Sequence, residues 1–196
     1  MLAYVPKTSE KILELGCGKG YFAGLVKKNI RAEMWGMEVN DEVAEEAEKI
    51  FDKVIIGDLN HEIMNLPSRY FDCVIMNDVL EHLIDPVAVL KAVKGKCRPK
   101  AKLVCSIPNV RYYKILFDLI FKKEWKYQEA GVLDRSHLRF FTRRSIIDMF
   151  DAVHCNVLKI EGINPIYSKK FALFNALCFG LLSDTIYIQF ACVAEV

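Results

Sequence analysis

The stretch Ile12-Leu13-Glu14-Leu15-Gly16-Cys17-Gly18-Lys19-Gly20 decides the fold. Ile12 to Leu15 is a short apolar run of the kind that becomes an interior strand, and it stops at Gly16. Glycines at alternate positions let a backbone approach a ligand closely and take conformations that other residues resist. Tyr21 to Lys28 then reads as a helix with Phe22, Leu25 and Val26 on one face. The start of such a helix offers free N–H donors and a positive dipole end, where a nucleotide or an amino-acid carboxylate could sit. A glycine-rich turn alone does not choose between them. Tyr21 stands where a dinucleotide G-x-G-x-x-G would place its last glycine, and no G-K-[ST] follows for a phosphate loop.

Working outward, apolar runs alternate with helix-like segments, the pattern of a parallel sheet covered on both faces. Glu33 to Val39 is a second strand. Asn40 or Asp41 caps a helix in which Val43, Ala47 and Ile50 recur on one face. Val54 to Ile56 is a third strand, and Phe71 to Met76 a fourth that ends at Asn77-Asp78. Pro86 suits the first turn of a helix running to about Lys94. Leu103 to Ile107 is a fifth strand halted by Pro108. Arg143 to Phe150 reads as a helix, with Val153 to Ile160 and Ile186 to Ala194 as closing strands. No repeat, low-complexity tract or linker interrupts the chain, so residues 1–196 read as one domain.

The segment Asn109 to Thr142 breaks the alternation and is dense in aromatics, among them Tyr112, Tyr113, Phe117, Trp125, Tyr127 and Phe140. It leaves the carboxyl end of the fifth strand, where doubly wound sheets bind ligands. Two readings stay open: a lid over the site, or a peripheral helix pair filling a hydrophobic gap.

Composition narrows the function classes. A hydrophobic fraction of 53%, a charged fraction of 27% and a net charge of +2 belong to a globular chain without the basic stripe of a nucleic-acid binder. Seven scattered cysteines form no C-x-x-C pair, and the four histidines complete no zinc spacing, so no metal is expected and the thiols read as free in a reducing, cytoplasmic compartment. The N-terminus lacks signal-peptide features. Phe171 to Leu182, the longest uncharged apolar stretch, falls short of the about 20 residues a membrane span needs and reads as a core helix. A homodimer stays open.

Two acids stand where a cofactor would need them. Glu38 ends the second strand, 18 residues beyond Gly20, and could accept from both ribose hydroxyls of an adenosine. Asp58, after the third strand, could accept from the adenine amine or simply serve its turn.

Taken in order, the glycine stretch, Gly36-Met37-Glu38-Val39, Gly57-Asp58, and Phe71 to Leu83 with its Asn77-Asp78-Val79-Leu80-Glu81-His82 run resemble the class I S-adenosylmethionine-dependent methyltransferases. Within that superfamily the chain is similar to the ubiquinone- and menaquinone-biosynthesis-type small-molecule enzymes. Ile107-Pro108-Asn109-Val110-Arg111-Tyr112-Tyr113 and Leu133 to Thr142 resemble methyltransferases found among bacterial surface-polysaccharide and glycan genes. The likeness covers roughly residues 10 to 160. It implies a Rossmann-like, mostly parallel seven-stranded sheet with an antiparallel last strand and an inserted lid. It also implies that Glu14, Gly16 and Gly18 shape the methionine side of a cofactor pocket, with Cys17, Gly20 and Val39 also binding the cofactor. Glu38 would take the ribose, Asp58 and Leu59 the adenine edge, and Asn77 the methionine part. One departure is Arg98-Pro99-Lys100-Ala101, where related chains carry a Pro-Gly-Gly turn.

The expected reaction is methyl transfer to a small acceptor, on an oxygen of a sugar or glycan precursor. A hydroxyl acceptor must lose its proton, a task that suits histidine. His137 is the first candidate and His82 the second, against the alternative that each only holds backbone. Arg111, Arg135 and Arg139 could bind an anionic acceptor or pair with local acids such as Asp118 and Asp134. The competing classes are a cofactor-binding regulatory domain without turnover and a nicotinamide-dependent oxidoreductase.

Overall fold

The computed structural model describes residues 1–166, 175 and 178–196. In chain order its main elements are β1 (Lys11–Leu15), α1 (Tyr21–Asn29), β2 (Glu33–Glu38), α2 (Asp41–Ala47), β3 (Lys53–Ile56), α3 (Leu59–Glu62), β4 (Phe71–Asn77), α4 (Pro86–Lys96), β5 (Cys97–Pro108), α5 (Tyr113–Phe117), α6 (Arg143–Asp151), β6 (Asn156–Pro165) and β7 (Tyr187–Glu195). The seven strands form one sheet in the order β3-β2-β1-β4-β5-β7-β6. The first five pair in parallel, and β7 slots antiparallel between β5 and β6. This is the expected Rossmann-like sheet with its antiparallel last strand.

The interior strands are apolar on both faces because both are covered. On β4, Val74 and Met76 face a layer with Leu13, Leu103, Phe150 and Phe190, while Cys73 and Ile75 face a second with Ile12, Met34, Ala23 and Val26. Local signals start the helices: Asn40 accepts from the Val43 N–H, Asp85 from that of Ala88, and Thr142 and Ser145 cap α6 reciprocally. From β1 the chain winds outward through β2 and β3, then returns to β4 on the other side of β1. The order therefore reverses between β1 and β4, and a crevice opens at their carboxyl ends.

Several expectations need correction. Leu25 is exposed, so the buried face of α1 is carried by Ala23 and Val26 instead. Val153 lies in the turn after α6, and the strand begins at Asn156. Residues Arg98 to Ala101 are no turn but the opening of β5. There the pairing with β4 slips between Phe71 and Cys73, and Lys100 takes a φ of 66°. Between β5 and α6 there is no helix pair: α5 runs into one π turn (Asp118–Lys122), and irregular chain follows to Thr142. Of the core helix expected at Phe171 to Leu182, residues 171–174 and 176–177 lie outside the described residues, and Cys178 to Leu182 form a turn with Phe179 and Leu181 exposed rather than a buried helix. No helix of the described residues is long and apolar enough to cross a membrane.

Candidate active site

A cleft of about 600 Å³ opens at the carboxyl ends of β1 to β4, bordered by Gly16, Met37-Glu38-Val39, Gly57-Asp58-Leu59-Asn60, Asp78-Val79, His82-Leu83-Ile84 and Leu138. Gly16 has a φ of 63°, and a Cβ there would stand 2.8 Å from Cγ2 of Val79, so only glycine lets β1 turn against this wall. Gly20 precedes α1 and packs against Ile50 and Phe51, a structural position rather than a cleft wall.

Glu38 organises the turn around it. Its Oε2 accepts from the Gly18 N–H at 2.9 Å, and Oε1 accepts from the Val39 and Asn40 N–H groups at 3.0 and 3.1 Å. The glycine turn after β1 is thereby tied to the start of α2 through one carboxylate. Asp58 likewise caps α3 by accepting from the Asn60 N–H at 2.8 Å while bordering the cleft.

Glu14 and Asn77 end neighbouring strands, and Oε2 of the first and Oδ1 of the second are buried without a hydrogen-bond partner among the described residues. Burial pushes the Glu14 carboxyl up to about 8. Neither residue borders the cleft directly, and Asp78 stands there in place of Asn77. Cys17 turns away: its sulfur packs toward Gly36, where an added Cβ would meet it at 2.7 Å, and burial raises the thiol to about 12. Of the ten expected cofactor residues, Gly16, Glu38, Val39, Asp58 and Leu59 thus meet at one cleft.

Beside this cleft, and sharing Asp78 and His82 with it, lies a smaller cavity of about 250 Å³ lined also by Glu81, Asp134, His137 and Gln189. A 3₁₀ turn at Leu80–His82 sends Glu81 inward and His82 outward. The chain at 131–139 is clamped over this turn. The Leu138 and Arg139 N–H groups both donate to the Glu81 carbonyl, at 2.8 and 3.0 Å. His82 Nδ1 meets the Ser136 carbonyl at 3.2 Å, and His137 Nδ1 meets the Val132 carbonyl at 3.0 Å. A carbonyl only accepts, so in both contacts the Nδ1 is the donor. The two rings stand edge to face with centroids 4.8 Å apart. Burial, with the Asp78 charge adding to it, pushes the Glu81 carboxyl up to about 8.

Sequence reasoning missed Glu81 and the anchor Asn109. The latter is fully buried, donating to the Asp184 and Tyr187 carbonyls while its Oδ1 accepts from the Arg111 N–H. The only signals were an acid inside an apolar run and an Asn directly after Pro108. The arginines do pair, though not with Asp118 or Asp134. Arg111 binds Asp184 with Nε and Nη2, Arg135 binds Glu129, and Arg139 donates to the Ile84 carbonyl. Trp125 and Tyr127 pack on Phe140.

A family described as a methyltransferase domain matches residues 1–160. The chain belongs to this methyltransferase family. An uncharacterized methyltransferase of Schizosaccharomyces pombe is 32% identical over 139 residues, 65% of this chain, which spans about half (48%) of that protein's length. A ubiquinone biosynthesis O-methyltransferase of Cereibacter sphaeroides is 26% identical over 184 residues, covering 91% of this chain and 69% of its own. Among solved structures, a SAM-dependent methyltransferase from Archaeoglobus fulgidus shares the fold with a TM-score of 0.72 at 20% identity, over 100% of this chain and 89% of that one.

Proposed function

We propose that this methyltransferase moves a methyl group from S-adenosylmethionine to an oxygen of a small acceptor, a sugar or glycan precursor, with residues 1–196 acting as one domain and 109–142 as its lid. The observation that carries the reading is the cleft at the β1/β4 switch point, with Glu38 fixed by three backbone N–H groups on its rim. S-adenosylmethionine is the methyl donor, bringing a methyl group activated on a sulfonium.

The chain's own groups fit that donor. Glu38 would accept from the ribose, Asp58 and Leu59 would border the adenine, and Gly16 leaves the backbone bare where the ligand comes close. The partnerless oxygens of Glu14 and Asn77 are acceptors awaiting donors near the glycine turn, which suits the amino-acid end of the donor. Leu138 carries the lid to the cleft wall, and the Glu81 clamp holds it there against water. The proton of an acceptor hydroxyl faces Asp78 and His82, which border both cavities, with His137 behind them.

Oxygen as the acceptor atom is supported by the named activity of the Cereibacter sphaeroides relatives. A sugar or glycan is supported by the likeness of Ile107–Tyr113 and Leu133–Thr142 alone. With Arg111 and Arg135 already paired, an anionic acceptor has less support than a neutral one. A reducing, cytoplasmic setting suits the seven free cysteines.

Calorimetric titration with S-adenosylmethionine, S-adenosylhomocysteine and NAD is the test, followed by mass spectrometry of an acceptor panel of sugars, phenols and amines. Saturable binding of the two sulfur ligands and a mass gain of one methyl on an oxygen acceptor is the expected result. Binding of NAD alone would replace the reading with an oxidoreductase. Ligand binding without turnover of any acceptor would leave a binding domain.

A further inference from the structure

The smaller cavity holds a carboxyl group that the methyl-transfer reading leaves unused. Glu81 is 1% exposed, and neither of its side-chain oxygens has a hydrogen-bond partner among the described residues. Burying a carboxyl without partners is costly, and such a group calls for a ligand or a role. One nitrogen of each of His82 and His137 and one oxygen of Glu81 all lie within 4.8 Å of one another, with His137 Nε2 at 4.0 Å from Glu81 Oε1. Two ligands each about 2.1 Å from one zinc-like ion can stand at most about 4.2 Å apart, so the His137–Glu81 pair fits as it stands, and a set up to 4.8 Å wide has to close by a few tenths of an ångström around an ion.

Three further features agree. Both Nδ1 atoms are held by backbone carbonyls, the outer-shell arrangement that fixes a metal-binding imidazole with its Nε2 turned to the ion. Among the described residues the cavity is lined by Asp78, Glu81 and Asp134 and by no Lys or Arg, so its field attracts a cation. The cavity also adjoins the proposed donor cleft through Asp78 and His82, which leaves an open side for a substrate oxygen.

We propose that Glu81, His82 and His137 hold one divalent transition-metal ion. Two imidazoles with one carboxylate suit ions of the zinc, cobalt, iron or manganese class rather than magnesium, which prefers an all-oxygen shell. The site runs against the sequence expectation of no metal, because His82 and His137 lie 55 positions apart and meet only through the lid clamp. The role of the ion, though not the site, rests on the proposed methyl transfer. An acceptor hydroxyl bound to the ion loses its proton more readily, to Asp78 or water, and its oxygen then bonds the methyl carbon as the carbon–sulfur bond breaks.

The test uses the full chain stripped with EDTA and titrated with Zn²⁺, Co²⁺ and Mg²⁺ by calorimetry, with S-adenosylhomocysteine binding measured on the same sample. One Zn²⁺ or Co²⁺ per chain is expected, roughly 100-fold tighter than Mg²⁺, with visible Co²⁺ absorption bands of a nitrogen–oxygen shell. Glu81→Gln and His137→Gln should each weaken Zn²⁺ by at least about 10-fold. His82→Gln, at an exposed position, should do the same, while His154→Gln on the far turn should not. A folded wild type that binds S-adenosylhomocysteine but no ion would overturn the site. So would variants that bind Zn²⁺ as the wild type does. Ion binding without S-adenosylhomocysteine binding would keep the site and remove its proposed role, since it is the donor reading that would then have failed.

Discussion

Replacing Glu38 by alanine should separate two tasks that one carboxylate performs. A carboxylate offers about four lone-pair directions, and three are filled by the N–H groups of Gly18, Val39 and Asn40. One direction is left for a ligand, so a ribose hydroxyl can gain a single charge-assisted bond unless a backbone bond is surrendered. Such a bond is worth about 1.5–3 kcal/mol, which predicts a loss of roughly 10- to 100-fold in S-adenosylhomocysteine affinity rather than the larger loss expected of a two-pronged grip. The backbone bonds form a second account. Glu38 is half-buried and water replaces part of what is removed, so we set the stability cost at about 2 kcal/mol, or roughly 4–8 °C in Tm for a chain of this size. Glu38→Gln keeps one oxygen for Val39 and Asn40 but sets an NH₂ against the Gly18 N–H, and should lose about half as much. Differential scanning fluorimetry and calorimetry on both variants read the two tasks apart. A folded Glu38→Ala chain whose affinity stays within about 3-fold of wild type would refute the ribose role, and an unchanged Tm would refute the tie between the turns.

The glycine turn gives a paired prediction. Alanine at Gly16 or Gly18 enters a left-handed conformation at a cost of about 1–2 kcal/mol, but only at Gly16 does the new Cβ collide, 2.8 Å from Val79 on the cleft wall, while Gly18 has nothing within 4 Å. Gly16→Ala should therefore lose at least about 10-fold more S-adenosylhomocysteine affinity than Gly18→Ala at similar Tm, and equal losses in calorimetry would contradict the wall. A further prediction concerns pH. Glu14 and Glu81 are each raised to about 8 in the folded chain, against an ordinary value near 4.5. The folded state keeps protons that the unfolded chain releases from pH 4.5 upward, so their contribution is complete below that pH and fades as pH rises through 8. The carboxylates with depressed values, Glu33, Glu46, Asp52, Asp58, Asp134 and Glu161, act below this window. Metal-free protein should lose stability between pH 5 and 8, by up to a few kcal/mol, and Glu14→Gln should flatten part of the decline. A Tm that is level across the window in both chains would sink the assignment.

How much of this was legible in the chain depends on how long each physical pattern runs. Interior strands announce themselves because both faces are covered, so β1, β2, β4 and the second half of β5 read as mostly apolar runs. The first half of β5 carries Arg98, Pro99 and Lys100, which imitate a turn, yet a slip in the pairing with β4 accommodates them. The strand β6 forms the sheet edge against β7 alone, and its mixed exposure extends to Pro165 without an apolar signal to mark its end. Between β5 and α6 the aromatics carry no period, since they pack on one another and on Ile115, Val132 and Leu133 rather than on one face of a helix.

The site divides along the same line. Gly16, Glu38 and Asp58 were readable because each sits at the end of a strand, where position alone decides what the residue can reach. Glu81 was not, because a single 3₁₀ turn has no period to extrapolate. Three consecutive residues there point to the core, to a buried cavity and to solvent. Its neighbours Leu80 and Leu83 hide it within an apolar run, while the segment that gives it meaning, Val132 to Arg139, arrives from 50 residues later and is joined by backbone hydrogen bonds that no side-chain pattern records. A buried carboxyl, two imidazoles held by backbone carbonyls and a segment clamped by the same turn are thus a product of tertiary assembly. On the proposed reading, the segment clamped over this turn covers the donor cleft, and an occupant of the smaller cavity would act on that cleft through the walls they share, Asp78 and His82.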